Sequence, residues 1–205
     1  MSFIYHLVPR NLKGEVLIPL VELKEKYPEI YASQMAKYDD HPQRKRLPKR
    51  MLKKLNCLQE EVLHFSPIHP WLMHQGLQSV FSDWNQPSLF FEIPIQRIRN
   101  LPAILFDMNS TGTYVFGEDE SEEMFRWLTP ENYQILESIP PEAIEFYQKW
   151  QERGHRGAPA MARIPHVMVK GRASVQNCRI IDWRHPPNDP AGMDKLLFSA
   201  SGSLE

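Results

Sequence analysis

The chain has 205 residues, enough for one domain with a sizeable hydrophobic core. Of these residues 42% are hydrophobic and 24% are charged, which is typical of soluble globular proteins and not of disordered chains. The formal net charge of -1 excludes a general attraction to nucleic acid or to an anionic membrane, so any such binding has to come from a local patch.

The chain opens with a predicted strand at residues 3–8, FIYHLV, which Pro9 ends. This strand places His6 in an apolar run, where a histidine is either a hydrogen-bonded core residue or a functional one. The run is too short for a secretory signal, and no segment has the ~20 apolar residues of a membrane-spanning helix. Cys57 and Cys178 lack a metal-ligand spacing and are expected to be reduced, so we expect a cytoplasmic protein.

Two short helices and a basic segment are predicted next. Residues 20–38 have apolar side chains at helical spacing, and Pro28 divides them into two helices. Residues 41–54 contain no acid, and their basic side chains are Arg44, Lys45, Arg46, Lys49, Arg50, Lys53 and Lys54. Such a run is typical of a solvated loop, a localisation signal or a contact with a nucleic acid backbone. We predict that its first five basic residues bind nucleic acid.

The centre of the chain, residues 62–79, predicts a strand that runs into a helix through a turn with two prolines. Pro67 and Pro70 cannot lie inside a sheet ladder, and Pro70 suits the first turn of a helix that begins beside His69. Ser66 and His69 are therefore expected between a strand end and a helix N-terminus, where a phosphate or another anion is favoured. A purely structural turn is the alternative.

The remaining elements complete an α+β pattern. Further strands are predicted at residues 88–94, 103–107, 113–116, 166–170 and 179–183, a short helix from Thr129, and a longer helix from Pro140 to Trp150. This order lacks regular βαβ alternation, which argues against a doubly wound nucleotide-binding fold. No glycine-rich phosphate loop or zinc spacing occurs, and no metal is expected. We predict a single domain over residues 3–185 and an irregular tail, 186–205, whose closing SASGSLE is a loose end or an expression scar.

Four segments lie in order between residues 3 and 183. They are YHLV at 5–8 with Asn11 and Leu12, FSPIHPWL at 65–72, AILFDMNSTGTYVF at 103–116, and residues 165–169 with 179–181. Together they resemble the DarT-type ADP-ribosyltransferases, toxins that attach ADP-ribose from NAD to bases of DNA. They are similar, in order, to that family's opening strand, its Phe-x-Pro-x-x-Pro-x-Leu turn, its strand, Asp-containing turn and strand, and its last catalytic strand.

The resemblance implies an ADP-ribosyltransferase-like fold, which is a split antiparallel β-sheet with flanking short helices that clasps NAD. It implies that His6 hydrogen-bonds the nicotinamide ribose, that Asn11 and Ser66 also contact NAD, and that His6, His69 and His166 line the catalytic pocket. It further implies a nucleic acid acceptor, a role as a toxin or defence protein, and an antitoxin protein as a partner.

This chain departs from the family pattern at two positions. Ile68 stands where an arginine usually follows Phe-x-Pro, and His166 stands where the last strand usually offers a glutamate. A neutral imidazole cannot supply the negative charge of a carboxylate, although it can act as a general acid or base near neutral pH.

Two other functions fit the same residues. In the first, His6, His69 and His166 act as acid and base on a phosphodiester or a 2′-phosphate of RNA. In the second, the cleft is catalytically altered or inactive, and the protein is a binding module for nucleic acid or for another protein. Release of nicotinamide from NAD separates the transferase from both alternatives.

Overall fold

A computed structural model describes residues 2–39, 44–109 and 121–189 and has the α+β class expected from the sequence. The strands are β1 (Phe3–Leu7), β2 (Val16–Leu17), β3 (Met51–Leu52), β4 (Cys57–Leu58), β5 (Val62–Phe65), β6 (Leu89–Pro94), β7 (Ala103–Phe106), β8 (Phe125–Trp127), β9 (His166–Lys170), β10 (Ala173–Ser174) and β11 (Arg179–Asp182). The α-helices are α1 (Leu20–Lys26), α2 (Pro28–Met35), α3 (Pro70–Val80) and α4 (Pro141–Glu152). Within the described ranges, no helix has the length and apolarity needed to cross a membrane.

Two antiparallel sheets form the centre of the fold. One has the strand order β1-β6-β11 and the other the order β5-β9-β7-β8. They meet at an isolated bridge between Tyr5 and Ser66, whose backbone amides donate to each other's carbonyl oxygens at 3.0 and 2.8 Å. Beyond this bridge β1 pairs only with β6, and β5 only with β9, so the two sheets separate.

Three apolar clusters fill the layers around these sheets. The largest lies between the sheets, where Ile4 and Phe91 of one sheet pack with Phe65 and Val167 of the other. A second cluster, which includes Tyr5, packs the opposite face of the three-stranded sheet against α3 and α4. The third covers the far side of the four-stranded sheet with the segment 52–57. Because paired residues of neighbouring strands share a face, the alternation along β1 sends His6 and Tyr5 to opposite sides.

Phe65 anchors the contact between the two sheets, since it is fully buried at the end of β5. We expect Phe65→Ala to lower the free energy of unfolding by about 3–5 kcal/mol, because it removes an aromatic ring from a packed core and leaves a cavity. Urea denaturation followed by circular dichroism measures this loss. Phe65→Leu fills more of the same space and is expected to cost less. Equal stability of the alanine variant and the wild type would contradict this assignment of the core.

Most of the longer elements predicted from the sequence are confirmed, including both helices around Pro28 and the helix that starts at Pro70. The predicted helix at Thr129 is wrong. There the chain forms a turn, in which the backbone N–H of Thr129 donates to Asn132 Oδ1 at 2.8 Å and Asn132 Nδ2 donates to the Trp127 carbonyl at 3.1 Å. These side-chain bonds compete with a helical ladder. The strand predicted at 113–116 lies outside the described residues.

Candidate functional site

Three histidines lie around the point where the two sheets separate. His6 of β1 lies beside β5, with its ring centroid 5.4 Å from that of Phe65. His64 of β5 and His166 of β9 point to the same side of the four-stranded sheet, because their strands are neighbours and their positions in register differ by two. This is the far side, covered by the segment 52–57, whereas Phe65 and the His6 ring beside it lie on the side between the two sheets. Their ring centroids are 5.7 Å apart and their planes are nearly perpendicular, at 86°. We call His6, His64 and His166 the histidine cluster, because His64 contacts His166 and also feels the positive charge of His6.

A basic and an aromatic side chain complete the surroundings of the histidine cluster. Phe106 of β7 pairs with His166 in the sheet, and their rings are stacked with centroids 6.5 Å apart. The guanidinium carbon of Arg50 lies 5.7 Å from the centre of the Phe106 ring, a cation–π distance. Arg50 thereby brings a permanent positive charge to the cluster, which favours an anionic ligand such as a pyrophosphate.

The electrostatics of the cluster keep two of its imidazoles neutral. Burial, together with the positive charges of His166, Arg50 and His6, lowers the pKa of His64 to about 3. Burial and the charge of Arg50 lower the pKa of His166 to about 4. At neutral pH both rings are therefore uncharged and able to accept a proton, but only a strong local negative charge would hold that proton.

The ring nitrogens of the cluster indicate how it can bind a ligand. His6 Nδ1 lies 2.6 Å from the Leu7 carbonyl oxygen, which in the neutral ring places the proton on Nδ1 and makes Nε2 an acceptor. His166 Nδ1 is buried and has no hydrogen-bond partner among the described residues. A buried polar atom without a partner is costly, and such atoms concentrate at functional sites.

Ser66 and His69, both predicted from the sequence to line the pocket, do not join the histidine cluster. Ser66 is fully buried. Its Oγ accepts from the Ile68 N–H at 3.2 Å and lies 3.1 Å from the Ile68 carbonyl oxygen and 3.9 Å from Met73 Sδ, so its bonds stay within the turn and α3. His69 caps α3 by accepting the Trp71 N–H on Nδ1 at 3.2 Å, and its ring packs 5.2 Å from that of Tyr5. Because Tyr5 faces the helices, His69 lies on the opposite side of β1 from His6.

Glu92, an acidic residue of a neighbouring strand, is directed away from the cluster. Glu92 pairs with Tyr5 and Arg179 in the three-stranded sheet, and one of its carboxylate oxygens lies 3.3 Å from the Arg179 guanidinium. Burial raises the pKa of Glu92. Asp107 Oδ1 accepts the backbone N–H of Asn109 at 3.1 Å. Glu92 therefore belongs to the helix-covered face and does not replace the glutamate that the family pattern places on the last catalytic strand.

The predicted nucleic-acid patch is partly neutralised by acids from other parts of the chain. Lys49 Nζ lies 2.6 Å from a carboxylate oxygen of the buried Glu60, and Lys45 Nζ lies 3.3 Å from Asp39. Arg46 is exposed, whereas Arg50 turns inward to the cluster. Of Arg44 the structure describes only the backbone, in a short 3-10 helix. The segment therefore divides into an exposed part and one inward-facing arginine.

Two further sequence predictions concern isolated residues. Asn11, predicted to contact NAD, lies in an exposed turn after β1. Cys57 is buried and Cys178 partly buried, and both are free thiols, as expected.

His64 is the residue that sequence reasoning missed. The signal for it was present, since VLHF in β5 repeats the pattern of FIYHLV in β1, a histidine inside an apolar strand.

Comparisons with known proteins do not assign the chain to a family. No protein-family model matches it, and neither the curated proteins nor the solved structures searched give a match. The function is therefore argued from the geometry of the site.

Proposed function

We propose that this chain is a diverged NAD-dependent ADP-ribosyltransferase of the DarT type that modifies a base of DNA or RNA. One observation carries the proposal. The two antiparallel sheets are joined at the Tyr5–Ser66 bridge and separate beyond it, and His6 lies at the point of separation. A split antiparallel sheet with a histidine on its opening strand is the arrangement that the sequence resemblance implies for NAD.

The histidine cluster supports a role for each of its members. His6 offers an Nε2 acceptor to a ribose hydroxyl, and Arg50 offers a positive charge to the pyrophosphate. In the reaction, the bond between C1′ of the nicotinamide ribose and the pyridinium nitrogen breaks, and nicotinamide leaves with the electron pair. A nucleophilic atom of the acceptor base, or of water, forms the new bond to C1′. The proton it loses passes to the neutral His166 or His64, acting as general base.

The absence of a glutamate at position 166 changes which effects drive this reaction. The pKa shifts of His64 and His166 come from burial and from basic groups, with no contribution from a carboxylate among the described residues. Without a carboxylate at position 166, the oxocarbenium-like state is stabilised mainly by positioning of the two reactants. We therefore expect slower turnover than in a transferase with a catalytic glutamate and a stronger dependence on the bound acceptor.

Nicotinamide release tests the proposed function directly. Purified protein is incubated with NAD, with and without single-stranded DNA or RNA, and nicotinamide and ADP-ribosylated nucleic acid are followed by chromatography and mass spectrometry. We expect nicotinamide release that the acceptor accelerates, with an added ADP-ribose mass on the nucleic acid. Failure of calorimetry to detect NAD binding at millimolar ligand, together with no nicotinamide release, would reject the proposal.

A second candidate function is acid–base chemistry on a phosphodiester or a 2′-phosphate of RNA. The perpendicular contact of His64 with His166 beside Arg50 favours it, because two imidazoles and a guanidinium suit a phosphate centre. The two candidates differ in their need for NAD. Cleavage of RNA, or loss of a 2′-phosphate, in the absence of NAD would favour this second function.

The partners expected from the resemblance stay predictions. An antitoxin protein would have to reach the histidine cluster or the acceptor in order to suppress the transferase. Expression of the chain in bacteria, compared with a His6→Ala variant, tests whether its activity is toxic at all.

A further inference from the structure

A groove of about 890 Å³ lies between the end of α3 and the turn that follows α4, outside the histidine cluster. Its lining combines aromatic rings with amide, hydroxyl, carboxylate and guanidinium groups. The lining residues are Phe81, Ser82, Asp83, Trp84, Gln86, Gln151, His155, Arg156, Gly157 and Ala158. The volume falls within the range of small-molecule sites. Gln151 Nε2 donates to the Val80 carbonyl at 2.6 Å, which holds α4 to the end of α3 at the groove.

A ladder of three parallel rings ends at this groove. Phe146 and Trp150 of α4 are stacked with centroids 5.3 Å apart and planes at 21°. His155 continues the stack on Trp150 at 4.4 Å and 17°. Gly154, with a φ of 83°, adopts the left-handed conformation that ends the helix and turns the chain back over it. His155 is exposed, so the ladder presents a ring to solvent at the groove.

Trp84 forms another part of the groove lining. Gly157 lies against the six-membered part of the Trp84 ring so closely that a Cβ at position 157 would collide with it. The Trp84 indole N–H is buried and has no acceptor among the described residues. A ligand that moves Gly157 slightly away from the Trp84 ring can stack on the flat apolar face of that ring. It can also accept a hydrogen bond from the unpaired indole N–H.

We propose that this groove binds an unpaired base of a single-stranded nucleic acid. Aromatic side chains bind single strands because every base has a flat face that stacks on them. The carboxylate of Asp83, the amides of Gln86 and Gln151 and the guanidinium of Arg156 are the groups that recognise base edges and phosphates. A peptide partner fits less well, because six of the ten lining residues carry polar side chains of the kinds that recognise base edges and phosphates.

The inference rests on the proposed function only for the role of the bound strand as acceptor of ADP-ribose. Binding itself is independent of NAD. The groove lies by the helices that cover the Tyr5 face, whereas the histidine cluster lies at the sheet separation, so a strand held in the groove has to continue past β1 to present another base to the cluster. The groove would thus select single strands and leave the choice of modified base to the cluster.

Fluorescence anisotropy tests the proposal with three labelled probes in the absence of NAD. The probes are a ten-nucleotide oligo-dT, an abasic strand of the same length, and a ten-base-pair duplex. We expect oligo-dT to bind the wild type more tightly than the other two. His155→Ala is expected to weaken oligo-dT binding by about 5- to 150-fold, the range for loss of one stacked base. Trp84→Phe keeps a ring but removes the N–H and is expected to weaken binding less.

Trp127→Ala is the matched control, since Trp127 is a tryptophan on β8 with 54% of its surface exposed, away from the groove. It is expected to bind oligo-dT like the wild type. Unchanged binding by His155→Ala, or equal affinity of the wild type for the abasic strand, would overturn the proposal. Nicotinamide release without nucleic acid is expected to be the same in His155→Ala and the wild type. Loss of oligo-dT binding therefore tests the groove, and loss of NAD cleavage tests the proposed function.

Discussion

Replacing His166 with alanine is expected to slow nicotinamide release from NAD by about 10²-fold, the low end of the usual contribution of a general acid or base. The reason is that His166 is neutral at neutral pH and can take the proton of the attacking acceptor, but its pKa, lowered to about 4, makes it a weaker base than an ordinary imidazole. His166→Gln keeps hydrogen-bonding capacity and most of the volume but cannot take up that proton. Both variants are compared with the wild type by initial rates at saturating NAD, after circular dichroism has shown that they fold.

His64 provides a test of whether the cluster acts as a unit. Because its ring touches that of His166, we expect His64→Ala to reduce the rate as well, and the double variant to be little slower than the slower single variant. His185→Ala is the control, since His185 lies beyond β11 with Nδ1 3.1 Å from a carboxylate oxygen of Asp189. Wild-type rates in the His166→Gln variant would remove His166 from the reaction and leave the cleft as a binding surface.

The sequence was sufficient to predict the elements whose signals are local. Alternating apolar residues and prolines mark β1 and the junction of β5 with α3, and Pro28 divides α1 from α2. By contrast, β8 was missed because only three residues pair there and acidic residues precede it. The short strand β2 depends entirely on its distant partner β10, which sequence periodicity does not reveal.

The sequence predicted two members of the histidine cluster but not its boundaries. His6 and His69 were expected together because the resemblance implies that both line the NAD pocket, yet one residue of alternation along β1 puts Tyr5, and not His6, beside His69. In the same way, Arg50 and Lys49 are neighbours in a basic run, but one faces Phe106 and the other a buried Glu60. The side of a strand or segment to which each side chain points depends on how the strands pair in the folded protein. The local sequence pattern does not specify that pairing.

Acidification is expected to destabilise the fold well before most carboxylates are protonated. The pKa of His64 is lowered to about 3 and that of His166 to about 4, from about 6.5 in the unfolded chain. Between pH 6.5 and these lower pKa values, the two imidazoles are protonated in the unfolded chain but not in the folded chain. The free energy of unfolding therefore falls as the pH is lowered. Each histidine contributes up to about 1.4 kcal/mol per pH unit between pH 6.5 and its folded pKa. The pKa values of His69 and His74 are lowered too and add to the effect.

Urea denaturation at pH 7.5, 6, 5 and 4.5 measures this dependence, with constant stability expected above about pH 7. His166→Gln removes one titrating ring, so its free energy of unfolding is expected to fall less steeply than that of the wild type below pH 6, by up to about 1.4 kcal/mol per pH unit. An exposed histidine would give no such difference, because its pKa is the same in both states. Parallel curves for the variant and the wild type would therefore show that His166 is solvated and that its surroundings do not hold its ring in the neutral form.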